Sequence, residues 1–525
     1  MRVGTTWMAV AFLVALALCA STVAGATLAY ELLQVQVIHR HGSRSALPRH
    51  NQTLICGSDY PCGYLNVPGQ RMLTNIGAFL RARYTTDATV VDPAAPFLPY
   101  RTYNLSVSHT RSTDVLRTLQ SAAALLRGLF PDMGAYYPAI HTIDDPTDSL
   151  LNSGAIPVLR AKYDYGGPEE AAACNPVVDR ALSAATLAAM AAEAHSQGYC
   201  AAWDDRMECA KLLCDIALAY EALGTLGDYP TLQQHQADVC AVLECSSIFL
   251  FAYNASSALE RQQGSTGQQL AQLLIANMRA HLNGTNTFRL MEYSAHDTTL
   301  APLAATLLDN SGDALFPPFA TAYVVELLRV RGAAGTDDGA YAVRVLRGHP
   351  GVTPASNYTF AWDGFVLRCV DASGAVYVAT DHVCPLADFA RMVASSAPTS
   401  AAGLCHIDPV LLTRMNCPST DPSVTLTTAC LVYHQQCPAL ACGDGYQLRL
   451  SDYHCVASTT SSNNSSSSDG SSSSSAGLST GGAVLLALCM LVAGAIIYYA
   501  VQRARDCWQY RQLQGGEEAT DVEMV

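Results

Sequence analysis

Two arginines bracket a histidine and a glycine at Arg40-His41-Gly42-Ser43-Arg44. Each guanidinium is a planar, permanently charged fork that fits the oxygens of a phosphate or carboxylate, and an imidazole between two such forks can attack or carry a proton. Ahead of them, Val35, Val37 and His39 alternate with Gln34, Gln36 and Ile38. That period of two predicts a strand, and Gly42 is expected to give the backbone the freedom to turn. The loop would then open at the carboxyl end of a strand, where open α/β sheets place their ligands. On this stretch alone a solvated basic loop is the simpler account. Two later stretches shift the balance. Val107 to Asp114 follows an apolar stretch and reads as opening a helix that Ser112 or Thr113 can cap, which puts Arg111 at a helix start that already favours an anion. Phe288 to Leu300 reads as a strand, a cap and a helix carrying His296 and Asp297. His39 and His41 share one side of a strand continued in register; His41, between the arginines, is taken as the nucleophile, and His109 is given a structural role.

Taken in order, these stretches resemble the histidine acid phosphatases, the branch of the histidine phosphatase superfamily that holds the prostatic and lysosomal acid phosphatases and the phytases. The Arg-His-Gly-x-Arg pattern appears at 40–44, the Arg-Ser-Thr-Asp and Arg-Thr pattern at Arg111 to Asp114 with Arg117 and Thr118, and the His-Asp pair at His296 and Asp297. Weaker echoes lie at Gly69-Gln70, at Ile140-His141-Thr142 and at Pro317 to Ala320, so the likeness spans roughly residues 29 to 370. It departs at Ala46, where the family usually has proline, and at Leu116, where an acidic residue is common. The resemblance implies an α/β fold: a phosphoglycerate-mutase-like three-layer core, with a central mixed sheet flanked by helices, plus an inserted, mostly helical cap. It also implies roles. His41 would be the nucleophile, Asp297 the proton donor, and Arg40, Arg44, Arg111 and His296 the phosphate-binding groups. No metal and no other cofactor is expected, because three guanidinium groups would supply the positive charge.

The elements that must position these residues follow from periodicity. Leu73, Ile76, Leu80 and Tyr84 recur at helical spacing, as do Val115, Leu119, Leu125, Leu126 and Leu129. Ala322 to Val330 and Tyr341 to Leu346 read as strands. Between them, residues 131–284 are rich in alanine-bearing helical stretches such as Ala181 to Ala194 and Lys211 to Leu223, with an apolar face at Leu270, Leu273, Leu274 and Met278. The expected organisation is a phosphatase core at 27–130 and 285–400, a helical cap at 131–284 and a cysteine-rich membrane-proximal segment at 401–456.

The ends of the 525-residue chain carry signals of another kind. Residues 1–26 read as a signal peptide, 457–480 as a serine-rich stalk, 483–501 as a transmembrane helix and 502–525 as a cytosolic tail. Arg503 and Arg505 place that tail inside, making a type I single-pass protein whose catalytic part is lumenal or extracellular. Of 19 cysteines, Cys19, Cys489 and Cys507 fall outside the lumenal part and leave an even number there, as disulfides in an oxidising compartment require. Sequons at Asn51, Asn104, Asn254, Asn283, Asn357, Asn463 and Asn464 agree.

The function expected is acid hydrolysis of phosphate monoesters through a phosphohistidine, best at roughly pH 4 to 6 if Asp297 must hold a proton. Small phosphomonoesters or phosphoproteins would be the substrates. Tyr510-Arg511-Gln512-Leu513 fits the pattern read by clathrin adaptors, which suits an endosome, lysosome or cell-surface location, and a homodimer is a further partner expectation. Two alternatives are a trafficking or receptor glycoprotein with an idle site, and a phytase or inositol polyphosphate phosphatase, which would need a basic cap. The net charge of −14 makes no case for nucleic-acid binding.

Overall fold

The computed structural model describes residues 29–458 apart from 49, 58–60, 133–136, 334–337, 418–419 and 422. The expected leader at 1–26 and the stalk, membrane span and tail beyond 458 lie outside the described residues. Among the described residues, no helix is long and apolar enough to cross a membrane.

The alternating run at the start becomes strand β1 (Tyr30–Arg40), followed by helix α1 (Val67–Thr85), strand β2 (Ser108–Ser112), helix α2 (Leu116–Leu129) and the short strand β3 (Ile140–His141). Helices α3 (Pro157–Tyr165), α4 (Gly167–Ala181), α5 (Arg206–Leu223) and α6 (Gln236–Phe251) come next, then α7 (Gln268–Leu282). Strand β4 (Leu290–Ala295) runs into α8 (Asp297–Thr306), and β5 (Ala322–Val330), β6 (Tyr341–Pro350) and β7 (Phe360–Trp362) follow. A hairpin of β8 (Arg368–Val370) and β9 (Val376–Val378), strand β10 (Val383–Pro385) and helix α9 (Leu386–Ala394) complete the part that concerns the sheet.

The main sheet is mixed, in the order β10-β6-β5-β1-β4-β2-β3, with β7 also paired to β6. Strands β1, β4, β2 and β3 run parallel to one another, whereas β5 pairs antiparallel to β1, and β6, β7 and β10 also pair antiparallel. In register, Arg40 lies beside Ala295, and Ser294 beside Ser112. The carboxyl ends of β1, β4 and β2 therefore stop side by side, and the three motif stretches leave the sheet from adjacent points.

Both faces of the sheet are buried. On one, Val35, Val37, Leu290 and Val324 meet Leu73, Ile76 and Leu80 of α1 and Leu125, Leu126 and Leu129 of α2. On the other, Ile38, Tyr293 and Val325 meet α7, α8 and α9 through Leu274, Met278, Leu300, Leu303 and Phe389. This is the three-layer α/β arrangement expected. The cap helices have a core of their own, with Cys174, Leu213, Ala217, Val239 and Val242. Packing differs from the expected cap bounds of 131–284 at both ends: β3 belongs to the sheet, and the apolar face of α7 covers the sheet instead of the cap. The alanine-rich stretch from Ala181 also starts its helix later, at Ala184, because the Ser183 hydroxyl caps it by accepting from the Thr186 N–H at 3.0 Å.

All sixteen cysteines among the described residues are paired. Cys174–Cys245, Cys200–Cys209 and Cys214–Cys240 tie the cap, and Cys56–Cys62 and Cys369–Cys384 lie outside it. Cys405–Cys437, Cys417–Cys430 and Cys442–Cys455 tie the segment after 400 to itself, and that segment packs on Ala161 and Tyr165 of α3.

Gly42 has a reason other than the one expected. It is not in the left-handed region; a Cβ there would lie 2.3 Å from the Gly69 carbonyl oxygen, and one on Gly69 would lie 2.1 Å from that of Ser43. The two glycines let the loop after β1 rest directly on the first turn of α1. Asn66 pins the same contact: its Oδ1 caps α1 by accepting from the Gly69 N–H at 2.9 Å, and its Nδ2 donates to Ser43 Oγ at 3.1 Å. Gly69→Ala should therefore push the loop off the helix, with a loss of about 1–3 kcal/mol in urea unfolding; an unchanged midpoint would show that the loop does not depend on this approach.

Candidate active site

Each motif residue owes its place to a strand end. Strand β1 stops at Arg40, and the next residue, His41, is held by its own N–H to the Ala295 carbonyl at 2.9 Å and by its carbonyl, which accepts from Ala320 N–H at 3.0 Å. Nδ1 of His41 lies 2.8 Å from the Gly42 carbonyl oxygen. A carbonyl only accepts, so Nδ1 carries the hydrogen and Nε2 keeps its lone pair. The ring is buried, with 2% of the residue exposed, and stands edge-on to His296 at 5.5 Å between centroids.

Cations surround it. Arg40 donates to the Pro317 carbonyl at 2.7 Å, pairs with Asp297 at 2.6 Å and stacks 4.3 Å over Phe319. Arg44 forms a two-point pair with Asp215 of α5, the shorter leg being 2.9 Å, and Asp215 also accepts from the Leu47 N–H at 2.7 Å. Arg117, in the first turn of α2, reaches His296 Nδ1 with NH2 at 3.4 Å. The Nε atoms of Arg40, Arg44 and Arg117 are buried and have no hydrogen-bond partner. Burial and then Arg117, Arg40, His296 and Arg44 push the His41 imidazole well below the usual histidine value, which favours the neutral ring. Burial, with Arg44, lowers Arg117 to about 10, which leaves it charged.

His296 precedes α8 and is turned by its neighbours. Its Nδ1 faces the Arg117 donor, so Nε2 carries the hydrogen and donates to Thr113 Oγ1 at 3.0 Å, itself 2.8 Å from Thr118 Oγ1. Burial and Arg117 depress its pKa too. Asp297 opens α8, with Oδ1 accepting from the Thr298 N–H at 2.8 Å. Burial would raise its pKa, but Arg40 and Arg44 outweigh that and hold the carboxyl below the ordinary aspartate value in the unliganded site.

Arg40, His41, Arg44, His296 and Asp297 thus come together as the sequence suggested. Arg111 does not join them. It is a strand residue beside Tyr293, and its NH2 pairs at 2.5 Å with the buried Asp148. The helix starts at Leu116, three residues later than a cap at Ser112 would set it, so the arginine that a first turn delivers to the site is Arg117. Its motif position with Thr118 was the available signal. Asp215 carried no sequence signal, since it reaches Arg44 only because the cap folds over the loop. His39 is turned away from the site: Nε2 lies 3.0 Å from Glu292 Oε1, with both side chains fully buried. His109 stacks on His141 at 4.8 Å, a structural contact.

A cavity of about 600 Å³ ends on Arg40, Arg44 and Asp297 and continues beneath the cap helices. Arg40, Arg44 and Asp297 line that end, and together with the adjoining Arg117, His41 and His296 they make a set suited to a tetrahedral oxyanion: three guanidinium groups, two imidazoles and a carboxyl group.

Comparisons with known proteins point to one family. Residues 48–347 match the sequence model of the histidine phosphatase superfamily (branch 2). The lysosomal acid phosphatase of Xenopus laevis is 28% identical over 380 residues, covering 69% of this chain and 76% of that protein. The human prostatic acid phosphatase is 26% identical over 321 residues, covering 58% of this chain and 76% of its own. Among solved structures, the phytase from Citrobacter braakii aligns at 15% identity and a TM-score of 0.45 over 69% of this chain and 97% of that one. With more than half its length matched by the family's sequence model, the chain belongs to branch 2 of the histidine phosphatase superfamily, as a histidine acid phosphatase.

Proposed function

We propose that the chain hydrolyses phosphate monoesters in two displacements at His41. The observation that carries this reading is a buried imidazole whose Nε2 lone pair is kept free and neutral among three guanidinium groups. Nε2 attacks phosphorus, forming an N–P bond as the ester P–O bond breaks, and the leaving oxygen takes a proton from Asp297. Water then attacks the phosphohistidine, giving its proton to Asp297 and returning Nε2 with its lone pair. Arg40, Arg44 and Arg117 hold the non-bridging oxygens as charge spreads over them, and His296 joins them as the other tautomer, with the hydrogen on Nδ1 for the phosphate and Thr113 Oγ1 donating to Nε2. Asp297 is an anion in the free site, so its first proton arrives with the substrate: a phosphate monoester is a monoanion below its second pKa of about 6. Binding that anion also occupies Arg40, which releases the Asp297 carboxyl toward ordinary acidity.

The phytase alternative lacks the basic cap it would need. On the cap side of the cavity, Arg160 is paired with Asp164, and Lys211 lies 2.8 Å from both Glu170 and Glu208. The complete site also weighs against an idle ectodomain. We further propose a type I protein of the endosomal or lysosomal membrane, anchored by 483–501, with Tyr510–Leu513 offered to a clathrin adaptor. The lysosomal acid phosphatases among its relatives, the paired cysteines and the sequence of the C-terminal segment support this.

Phenyl phosphate hydrolysis should persist in EDTA, hold from about pH 4 to 6 and fall above about 7 as the substrate monoanion disappears. Reactions with labelled substrate stopped in alkaline denaturant should show base-stable, acid-labile protein phosphate that His41→Ala abolishes; turnover in that variant, or an optimum above neutrality, would refute the route. Arg117→Ala should lower kcat/KM by about 10² or more, since it removes a charge from the transition state, whereas Arg111→Ala should leave the kinetics near wild type and lower the unfolding midpoint instead. The reverse pattern would restore Arg111 to the site. In sealed microsomes, protease should remove an epitope placed after Val525 and spare the catalytic domain; protection of both ends would contradict the single span.

A further inference from the structure

One wall of the active-site cavity has no part in the phosphate chemistry. Glu208, Lys211, Leu212 and Asp215 recur every three or four residues along α5, so a single helix face turns them all toward the cavity. Beyond the phosphate end, four carboxylates (Asp164, Glu170, Glu208 and Asp215) face two cations (Arg160 and Lys211). Arg160 and Asp164 cancel each other. Lys211 is shared by Glu170 and Glu208, so that group keeps one negative charge, carried at the rim by Glu208, whose side chain is 45% exposed. Among the described residues, Asp215 is ion-paired with Arg44, the guanidinium that a bound phosphate would draw on. Once an anion takes Arg44, the carboxylate of Asp215 is left facing the substrate. The rest of the wall is apolar, with Leu243, Leu250, Phe251, Leu315 and Phe316.

We infer that this wall is a leaving-group subsite selecting a singly phosphorylated, amphipathic substrate that carries a cationic amine. Its apolar body lies along Leu250, Phe251 and Phe316, and its amine meets the negative group built on Glu208, Glu170 and Lys211. A second phosphate or a carboxylate on the same arm would face Asp215 and Glu208 and be rejected by like charge. The inference rests on the phosphatase reading only for its kinetic readout, because the charge preference belongs to binding.

The test uses the full-length protein at about pH 6, where ordinary carboxylates are ionised. Two aryl phosphates with the same two-carbon arm are compared, one ending in an ammonium group (tyramine O-phosphate) and one in a carboxylate, with phenyl phosphate as the uncharged reference. Their non-hydrolysable phosphonate counterparts are compared by calorimetry. The ammonium member should be favoured by about tenfold or more in kcat/KM, and in affinity for the phosphonate pair. Glu208→Lys should abolish or invert that order, and Glu208→Gln should narrow it. Equal handling of both arms, or an order unmoved by Glu208→Lys, would overturn the subsite. Preference among the phosphonates without turnover of any phosphate would sustain the subsite and sink the phosphatase reading.

Discussion

Three guanidinium groups gathered around one buried imidazole are an arrangement that electrostatics opposes, and the surrounding structure exists in large part to permit it. Arg40, Arg44 and Arg117 repel one another, and burial removes the water that would screen them. Two carboxylates offset this in the free protein, Asp297 against Arg40 and Asp215 against Arg44, and the Pro317 carbonyl and the Phe319 ring take up much of the rest of Arg40. The same field keeps His41 neutral. The positive charge of the cluster is therefore oriented in the free protein, which is the arrangement that needs little reorganisation to meet an anion.

That concentration of charge needs a scaffold that does not yield. The parallel pairing of β1, β4 and β2 supplies it by ending three strands at one level, with Arg40 beside Ala295 and Ser294 beside Ser112. The loop after β1 is then locked from the other side by the Gly42–Gly69 approach and by Asn66. Both sheet faces are covered, so the strands cannot slip without exposing one of the two large apolar cores.

The cap answers a different need. Its helices carry their own core and three disulfides, and they close a cavity over the phosphate end, with Asp215 linking the two parts through Arg44 and the Leu47 N–H. Charge on the cap is mostly cancelled within the cap, by Asp164 on Arg160 and by Glu170 and Glu208 on Lys211. The ion pairs of the cap wall are thereby kept apart from the cluster of charge at the strand ends, which core residues build.

The sequence by itself determined what depends on local order: the strand before Arg40, the helical faces of Leu73 to Tyr84 and of Leu125 to Leu129, and the gathering of Arg40, His41, Arg44 and Asp297 in one cluster. These are readable because period and motif spacing are properties of consecutive residues. It also implied an oxidising compartment through an even cysteine count, though not the pairing, which needs distances in space. Tertiary structure decided the rest. Arg111 and Arg117 are six residues apart with the same side chain, and only the extension of β2 through Ser112 sends one to Asp148 and the other to His296. The apolar face of α7 fits a cap or a sheet equally well until the packing assigns it to the sheet. Asp215 is an ordinary acidic residue on a helix until folding brings it, from 171 positions away, to the fork of Arg44.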